Sequence, residues 1–183
     1  MWIRCWLERG LACERGSAPP ARLETLSVNV AMQRDGRSAV LALVAAIPPG
    51  LRSLDIRWDR DDSDFGMPFV SEDVGLALAN MLPRGLEKFR LDLSSEDQPG
   101  IGDEGARTLF RSLPPCLSEL VLDLTGNTVG QAAAAACGEA LRSCAGLEVC
   151  RLRLYDTGLS NEGLATIAAG LPKGLRDLRI MVM

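Results

Sequence analysis

The first candidate for chemistry is the segment GIGDEG at 100–105, which has the G-x-G-x-x-G spacing of dinucleotide-binding turns. In those turns the glycines let the backbone approach a pyrophosphate at the N-terminus of a helix. Here Asp103 and Glu104 would place two negative charges where the pyrophosphate binds. A similar segment, GLSNEG at 158–163, indicates that the glycines belong to a recurring turn. We therefore predict no nucleotide and no other cofactor.

Pairs of adjacent carboxylates are a second candidate, because acid–base catalysis commonly uses two of them. Glu72–Asp73 and Asp103–Glu104 both stand at the start of predicted helices. At such positions carboxylate oxygens satisfy free backbone N–H groups and interact favourably with the helix dipole. We interpret both pairs as helix caps rather than as catalytic groups.

An acidic run, DRDDSD at 59–64, resembles the start of a calcium-binding loop. An EF-hand would need glycine and glutamate where Asp64 and Val70 stand, so we predict no calcium site. The chain contains no histidine and no C-x-x-C pair, which argues against zinc. Without histidine, a serine or cysteine nucleophile lacks its usual base, and we predict that the protein is not an enzyme.

The cysteines are the last reactive residues. Cys137, Leu141 and Cys144 have the i, i+4, i+7 spacing of one helix face, and Cys150 replaces a leucine in a predicted strand. We interpret all the cysteines as reduced core residues, and the N-terminal sequence MWIRCWLERGLAC does not resemble a secretory signal. We therefore expect a cytoplasmic protein. The full set is Cys5, Cys13, Cys116, Cys137, Cys144 and Cys150.

Composition excludes two classes of partner. The 183 residues carry a net charge of −4, which gives no strong attraction to nucleic acid or to a membrane surface. No segment reaches the roughly 18 consecutive apolar residues of a membrane span. We expect neither nucleic acid nor membrane as a partner.

A repeated pattern of leucines reveals the elements that position these residues. The pattern L-x-x-L-x-L-x-L of Leu117, Leu120, Leu122 and Leu124 recurs five more times with apolar replacements. Six units begin at residues 23, 51, 86, 117, 147 and 175. Alternating apolar residues predict a strand with one buried face, and a helical stretch follows that usually ends in a proline turn such as SLPPCL.

These units resemble the leucine-rich repeats of the ribonuclease-inhibitor type, most closely in NTVGQAAAAACGEALRSCAGLEVCRLRL and IGDEGARTLF. The resemblance implies an α/β solenoid shaped like a horseshoe, with about six strand–helix units. Its parallel sheet would line the concave side, its helices would cover the convex side, and it would serve to bind proteins. We expect this domain to span 23–183 without a C-terminal cap, and 1–22 to form a degenerate N-terminal cap.

The strand residues between the leucines form one candidate binding surface, because they point away from the helices. Adjacent arginines there suggest a patch that attracts acidic residues of a partner. The alternative is a self-neutralising set of charges, with Asp123 beside Arg153 and Glu148 beside Arg176. The candidate binding residues on this surface are Arg90, Asp92, Asp123, Arg151, Arg153 and Arg179.

The long loop at 59–73 forms a second candidate surface, and the acidic segment 94–104 is predicted to lie beside it. Insertions in repeat proteins commonly bind partners. The alternative is a solvated loop whose phenylalanines pack back over the core. The candidate binding residues on this rim are Asp61, Asp62, Phe65 and Phe69.

The sequence as a whole predicts a non-catalytic scaffold for protein–protein interaction. One alternative is a regulator of another enzyme, such as a GTPase-activating protein, and another is a fragment of a larger repeat or receptor protein. The apolar strand at 175–183 further predicts self-association, because an uncovered strand edge can pair with another chain.

Overall fold

A computed structural model describes residues 23–31, 36–59, 71–95 and 100–182, in which strands and helices alternate. The strands are β1 (Thr25–Ala31), β2 (Ser53–Asp59), β3 (Lys88–Asp92), β4 (Glu119–Asp123), β5 (Val149–Leu154) and β6 (Asp177–Val182). The helices are α1 (Gly36–Ala45), α2 (Glu72–Met81), α3 (Gly102–Arg111), α4 (Gln131–Ser143) and α5 (Asn161–Ala169). The predicted N-terminal cap at 1–22 lies outside the described residues.

The strands form one six-stranded parallel sheet in the order β1-β2-β3-β4-β5-β6. Equivalent leucines of successive units lie opposite one another, so that Leu91 pairs with Leu122 and Leu122 with Leu152. These three side chains are 2%, 1% and 0% exposed. The α/β class, the parallel pairing and the burial of Leu91, Leu122 and Leu152 are thus confirmed.

A continuous apolar core lies between one face of the sheet and the helices. Helix α3 contributes Ala106 and Leu109 to it, and α4 contributes Cys137 and Leu141, all with no exposed surface. The spacing of these residues along each helix places them on the single face that meets the sheet. Each helix therefore closes the core beneath its own strand.

The predicted proline turns recur with the same hydrogen bond. The backbone N–H of Leu51 donates to the carbonyl of Pro48 (3.2 Å), that of Leu86 to Pro83 (3.2 Å) and that of Leu117 to Pro114 (3.3 Å). In the fifth unit Leu147 N–H donates to Cys144 (3.0 Å), so the turn persists without proline. These four turns give the second to fifth units the same entry into their strands.

Asn127 organises the turn between β4 and α4. Its buried amide oxygen accepts a hydrogen bond from Ile101 N–H at 2.8 Å, and its amide nitrogen donates to Leu93 O at 2.7 Å and Leu124 O at 3.1 Å. Gly100 lies so close that a Cβ there would stand 2.1 Å from the Asn127 oxygen. The first glycine of GIGDEG is therefore required by packing between neighbouring units.

The cysteine prediction is confirmed for three residues and wrong for one. Cys137, Cys144 and Cys150 are free and buried in the core. Cys116 is exposed, because it follows two prolines in the turn that leads into β4. Its sulfur lies 3.1 Å from the carbonyl oxygen of Arg84 in the preceding unit. Cys5 and Cys13 lie outside the described residues.

Candidate functional site

The candidate site is the face of the sheet turned away from the helices, which we call the open face. Strand residues that alternate with the buried leucines lie on it, and they are exposed or half-buried. One row runs across all six strands and contains Ser27, Asp55, Arg90, Val121, Arg151 and Arg179. A second row contains Asp92, Asp123, Arg153 and Met181. Six predicted binding residues are thus brought together on one face.

Two arginines of the open face bind carboxylates in the same diagonal geometry. Arg90 donates to Glu119 at 2.6 Å, and Arg151 Nε donates to Asp177 Oδ2 at 3.0 Å. In each case the carboxylate lies on the next strand, two residues before the residue directly opposite the arginine. The pairing is therefore a product of the repeated register.

Asp177 links the two arginines that stand side by side at the end of the row. Arg151 lies directly opposite Arg179, and both guanidinium groups contact the Asp177 carboxylate, Arg179 through Nε at 3.4 Å. The hydrogen bonds from Arg151 hold the pKa of Asp177 below its usual value, with a smaller contribution from Arg179. The repulsion expected between the two arginines is thus offset by a shared carboxylate.

Two further arginines are paired locally. Arg153 contacts Asp123, directly opposite on β4, at 3.3 Å, and Arg57 donates to Asp55 of its own strand at 2.9 Å and 2.6 Å. The predicted pairs Asp123–Arg153 and Glu148–Arg176 are both present, the latter at 3.8 Å. The self-neutralising arrangement considered from the sequence is therefore observed for these charges.

The charges nevertheless lie in two layers. The five arginine side chains of the open-face pairs are 38–59% exposed, whereas the carboxylate side chains that they bind are 13–29% exposed. The guanidinium groups consequently project into solvent above their carboxylates. We call this layer the arginine layer, and it consists of Arg57, Arg90, Arg151, Arg153 and Arg179.

A shallow hollow of about 270 Å³ lies within the arginine layer. Its walls include Arg90 and Arg153, and Val121 and Met181 add apolar surface. A hollow this shallow suits side chains projecting from a flat or extended partner better than an enclosed small molecule.

Asp92 and Asp123 also have a structural task. The Asp92 carboxylate accepts a hydrogen bond from Ser94 N–H at 2.9 Å, and the Asp123 carboxylate accepts one from Thr125 N–H at 3.1 Å. Such bonds to the backbone two residues ahead stabilise turns after strands. Asp92 and Asp123 therefore stabilise turns, in addition to the binding role predicted for them.

Sequence reasoning missed several members of the site. Asp177, Glu119 and Arg57 were absent from the predicted set, although Asp177 binds two arginines. The available signal was an acidic residue at the start of the predicted strand that follows an arginine-bearing one. The predicted rim residues Asp61, Asp62, Phe65 and Phe69 lie outside the described residues.

The carboxylate pairs behave differently from simple caps of their own helices. Asp103 belongs to α3, yet its carboxylate accepts hydrogen bonds from Gly130 N–H (2.8 Å) and Ala133 N–H (3.1 Å) at the start of α4. Glu104 pairs with Arg107 on the same helix, and Ser71 O–H donates to Asp73. Asp103 is thus a helix cap as predicted, but it caps α4 rather than its own helix α3.

The core thiols are poorly suited to nucleophilic chemistry. Burial raises the pKa of Cys144 to about 11 and that of Cys150 to about 12, and it raises the pKa of Cys137 further. Thiolates are the reactive form, so these residues stay protonated at neutral pH. None of the helices in the described ranges is long and apolar enough to cross a membrane.

No protein-family model matches the chain, and no curated protein matches it. Function is therefore inferred from the surface described above.

Proposed function

We propose that residues 23–183 form a leucine-rich-repeat solenoid of the ribonuclease-inhibitor type, and that the protein is a non-catalytic scaffold which binds another protein. The shared register of six parallel strands and the recurring turn before β2, β3, β4 and β5 support this repeat class. In such a solenoid the helices form the convex side, and the open face becomes a concave binding surface. The free core cysteines fit a cytoplasmic location.

The observation that carries the proposal is the arginine layer. A guanidinium has five N–H donors, and the carboxylates of the open face engage only one or two nitrogens of each arginine. The guanidinium N–H groups that the carboxylates do not engage can therefore donate hydrogen bonds to acceptors of a partner. The partner that fits is a protein segment with acidic side chains, and Val121 and Met181 would contact its apolar atoms.

The strands add a second advantage to this surface. Arginines on hydrogen-bonded strands are already partly ordered, and their carboxylates hold them in place. Binding there loses less conformational entropy than binding at a mobile segment would. Charge complementarity should also raise the association rate, most clearly at low salt.

Fluorescence anisotropy with a labelled oligoglutamate peptide tests the proposal. Replacing Arg151→Ala together with Arg179→Ala should weaken binding by about 1–3 kcal/mol, because it removes neighbouring donors and leaves the Asp177 carboxylate uncovered. The fold should persist, since both side chains lie on the open face. The same double variant should lose a protein partner captured from a cell extract.

The matched control replaces Arg52→Ala together with Arg176→Ala. These arginines are also exposed and ion-paired, with Glu87 and Glu148, but they precede the strands and lie off the open face. An equal loss of peptide binding in both double variants would contradict the proposal. So would tighter binding of a single-stranded oligonucleotide than of the peptide, because the arginine layer would then serve a nucleic acid.

A further inference from the structure

Part of one row on the open face contains arginines and no acid. In this row, the residues that lie directly opposite one another on β3, β4, β5 and β6 are Arg90, Val121, Arg151 and Arg179. The carboxylates that bind Arg90 and Arg151 come from outside the row, because Glu119 and Asp177 stand two residues earlier on their strands. From β3 onward the row therefore contains three positive charges and no negative one.

Arg90 and Arg151 keep donors that their carboxylates do not engage. Arg90 donates to its carboxylate through Nη2, and Arg151 donates through Nε and Nη2. Among the described residues nothing else accepts from these two guanidinium groups, which leaves Nε and Nη1 of Arg90 and Nη1 of Arg151. Asp55 lies opposite Arg90 on β2, but its carboxylate is bound to Arg57 at 2.9 Å and 2.6 Å. Both arginines can therefore donate further hydrogen bonds.

Val121 separates these two arginines and carries no charge itself. It is half-buried in the hollow of about 270 Å³, and Arg90 and Arg151 both line that hollow. Strands β3 and β5 are two strand spacings apart, about 10 Å. An oxyanion that accepts a hydrogen bond on each side spans about 8 Å between the donor nitrogens. An anionic group above Val121 is therefore within reach of both guanidinium groups.

The charges already present favour a phosphoryl group over a carboxylate at this position. Arg90 and Arg151 each bind a carboxylate of this chain, so a partner's carboxylate offers them no stronger interaction than the one they have. A phosphoryl group carries nearly two negative charges and three acceptor oxygens. Its oxygens can accept from both arginines at once, and arginine clusters commonly recognise phosphorylated side chains.

Acids on β4 limit the size of the anion. Glu119 and Asp123 stand two residues before and two residues after Val121, on the same face of the strand. A chain of phosphates along β4 would meet both carboxylates, whereas a single phosphoryl group above Val121 meets an arginine on each side. The hollow is also shallow, which suits a short side chain. Phosphorylated serine and threonine have these properties.

We propose that the protein partner carries a phosphorylated serine or threonine, and that its phosphoryl group binds above Val121 between Arg90 and Arg151. This inference rests on the proposed function, because it specifies which acidic group the open face selects. Met181 lines the same hollow and contacts apolar atoms beside the modified residue. Phosphorylation of the partner therefore controls formation of the complex.

Fluorescence anisotropy with two labelled acidic peptides tests the proposal. One is the oligoglutamate peptide, and the other has phosphoserine in place of its central glutamate. The phosphorylated peptide should bind the wild-type chain at least about tenfold more tightly. A third peptide, with unmodified serine at that position, should bind more weakly than either.

Val121→Asp tests the position of the phosphoryl group, because it places a carboxylate of the chain between the same two arginines. The preference for the phosphorylated peptide should fall below about twofold, while the urea concentration at the unfolding midpoint should stay the same or rise. Val121→Asn is the matched control, since it has a similar size and no charge, and it should keep the preference. Arg90→Gln together with Arg151→Gln should remove the preference with Val121 intact.

The outcomes separate this proposal from the proposed function. Equal affinity of the wild-type chain for the two acidic peptides would overturn the phosphoryl site and leave the proposed function standing, whereas failure of both peptides to bind would overturn both. A preference that survives Val121→Asp and the double glutamine variant would also overturn the site. So would displacement of the phosphorylated peptide by an equimolar concentration of inorganic phosphate, or tighter binding of a single-stranded oligonucleotide, because the ligand would then not be a protein segment.

Discussion

A single carboxylate connects stability and binding at the scale of residues. Asp177 is the first residue of β6, and it contacts arginines on its own strand and on β5. It holds Arg151 in the arginine layer and also fastens the last strand to the sheet. Its ionisation should therefore be visible in the stability of the whole chain.

Asp177→Asn should lower the free energy of unfolding at neutral pH but not at strongly acidic pH. Because the folded-state pKa lies below the ordinary value of 3.8, the ionised carboxylate stabilises the fold fully above that ordinary value. The contribution is lost as the pH falls through the lower folded pKa. Urea unfolding of both proteins should thus show a constant difference between about pH 5 and 7 that shrinks toward pH 2.

Arg151→Gln provides the control for this prediction. Hydrogen bonds from Arg151 are the main cause of the lowered pKa, so Asp177→Asn should have a much smaller effect in that background. A difference between wild type and Asp177→Asn that stays the same at every pH would show that the carboxylate contributes no ionic stabilisation.

The arginines and the opposite pair Asp123–Arg153 could be predicted from the sequence, but the diagonal partners of Arg90 and Arg151 were missed. Alternation with buried leucines places Arg90, Arg151 and Arg179 on one face whatever the details of packing. Which carboxylate each arginine binds depends on where the register places a carboxylate, opposite the arginine or on the diagonal. Arg151 selects the diagonal Asp177, whereas Arg153 selects the opposite Asp123. The opposite pair was found from the sequence, whereas the diagonal pair needed the strand register and the acidic residue at the start of β6 to be considered together.

At the scale of elements, helix α4 depends on the preceding helix α3. Asp103 of α3 supplies hydrogen bonds to Gly130 and Ala133 at the start of α4. The carboxylate also lies at the positive end of the α4 dipole. The N-terminus of α4 is thus completed by a residue from the preceding unit.

Asp103→Ala should destabilise α4 more than α3, the helix to which Asp103 belongs. We expect a loss of about 0.5–2 kcal/mol, the usual effect of removing an N-cap side chain. Hydrogen exchange should accelerate at the first turn of α4 and change little within α3. Glu104→Ala is the control, because Glu104 is exposed and bonds within α3, to Arg107 and Thr108. Faster exchange in α4 for the control as well would refute the assignment.

The elements themselves were well predicted because their signals are local. A proline lies shortly after the end of α3, in SLPPCL, and after the end of α5, in GLPKGL. The leucine pattern then marks the strand that follows. The capping partner of Asp103 was not predictable in the same way. Its hydrogen bonds cross 27 and 30 residues, and sequence patterns within one unit do not reveal contacts between units.

At the scale of the molecule, the core is one stack of equivalent positions. Leu122→Ala should cost about 2–5 kcal/mol, because Leu122 is 1% exposed between Leu91 and Leu152. Val121→Ala is the matched control, since Val121 lies on the open face of the same strand and is half-buried. Chemical unfolding measures both changes. Equal losses for the two variants would contradict the assignment of the buried face.

The loss of stability caused by Leu122→Ala should also differ from strand to strand. Hydrogen exchange should accelerate most in β3, β4 and β5, because stability in stacked units is shared mainly between neighbours. Strand β1 should respond least. A uniform change from β1 to β6 would mean that the sheet unfolds as one indivisible unit.

The order of the strands has a consequence for how such a chain can fold and change in length. Successive units begin 28 to 35 residues apart, and each of the six described strands pairs only with its neighbours in sequence. Each pairing therefore closes a loop of similar size, and the entropic cost of each closure does not grow with the number of units. In-frame duplication or deletion of one unit would leave all remaining pairings intact. The architecture thus permits length to vary by whole units while the folding problem of each unit stays the same.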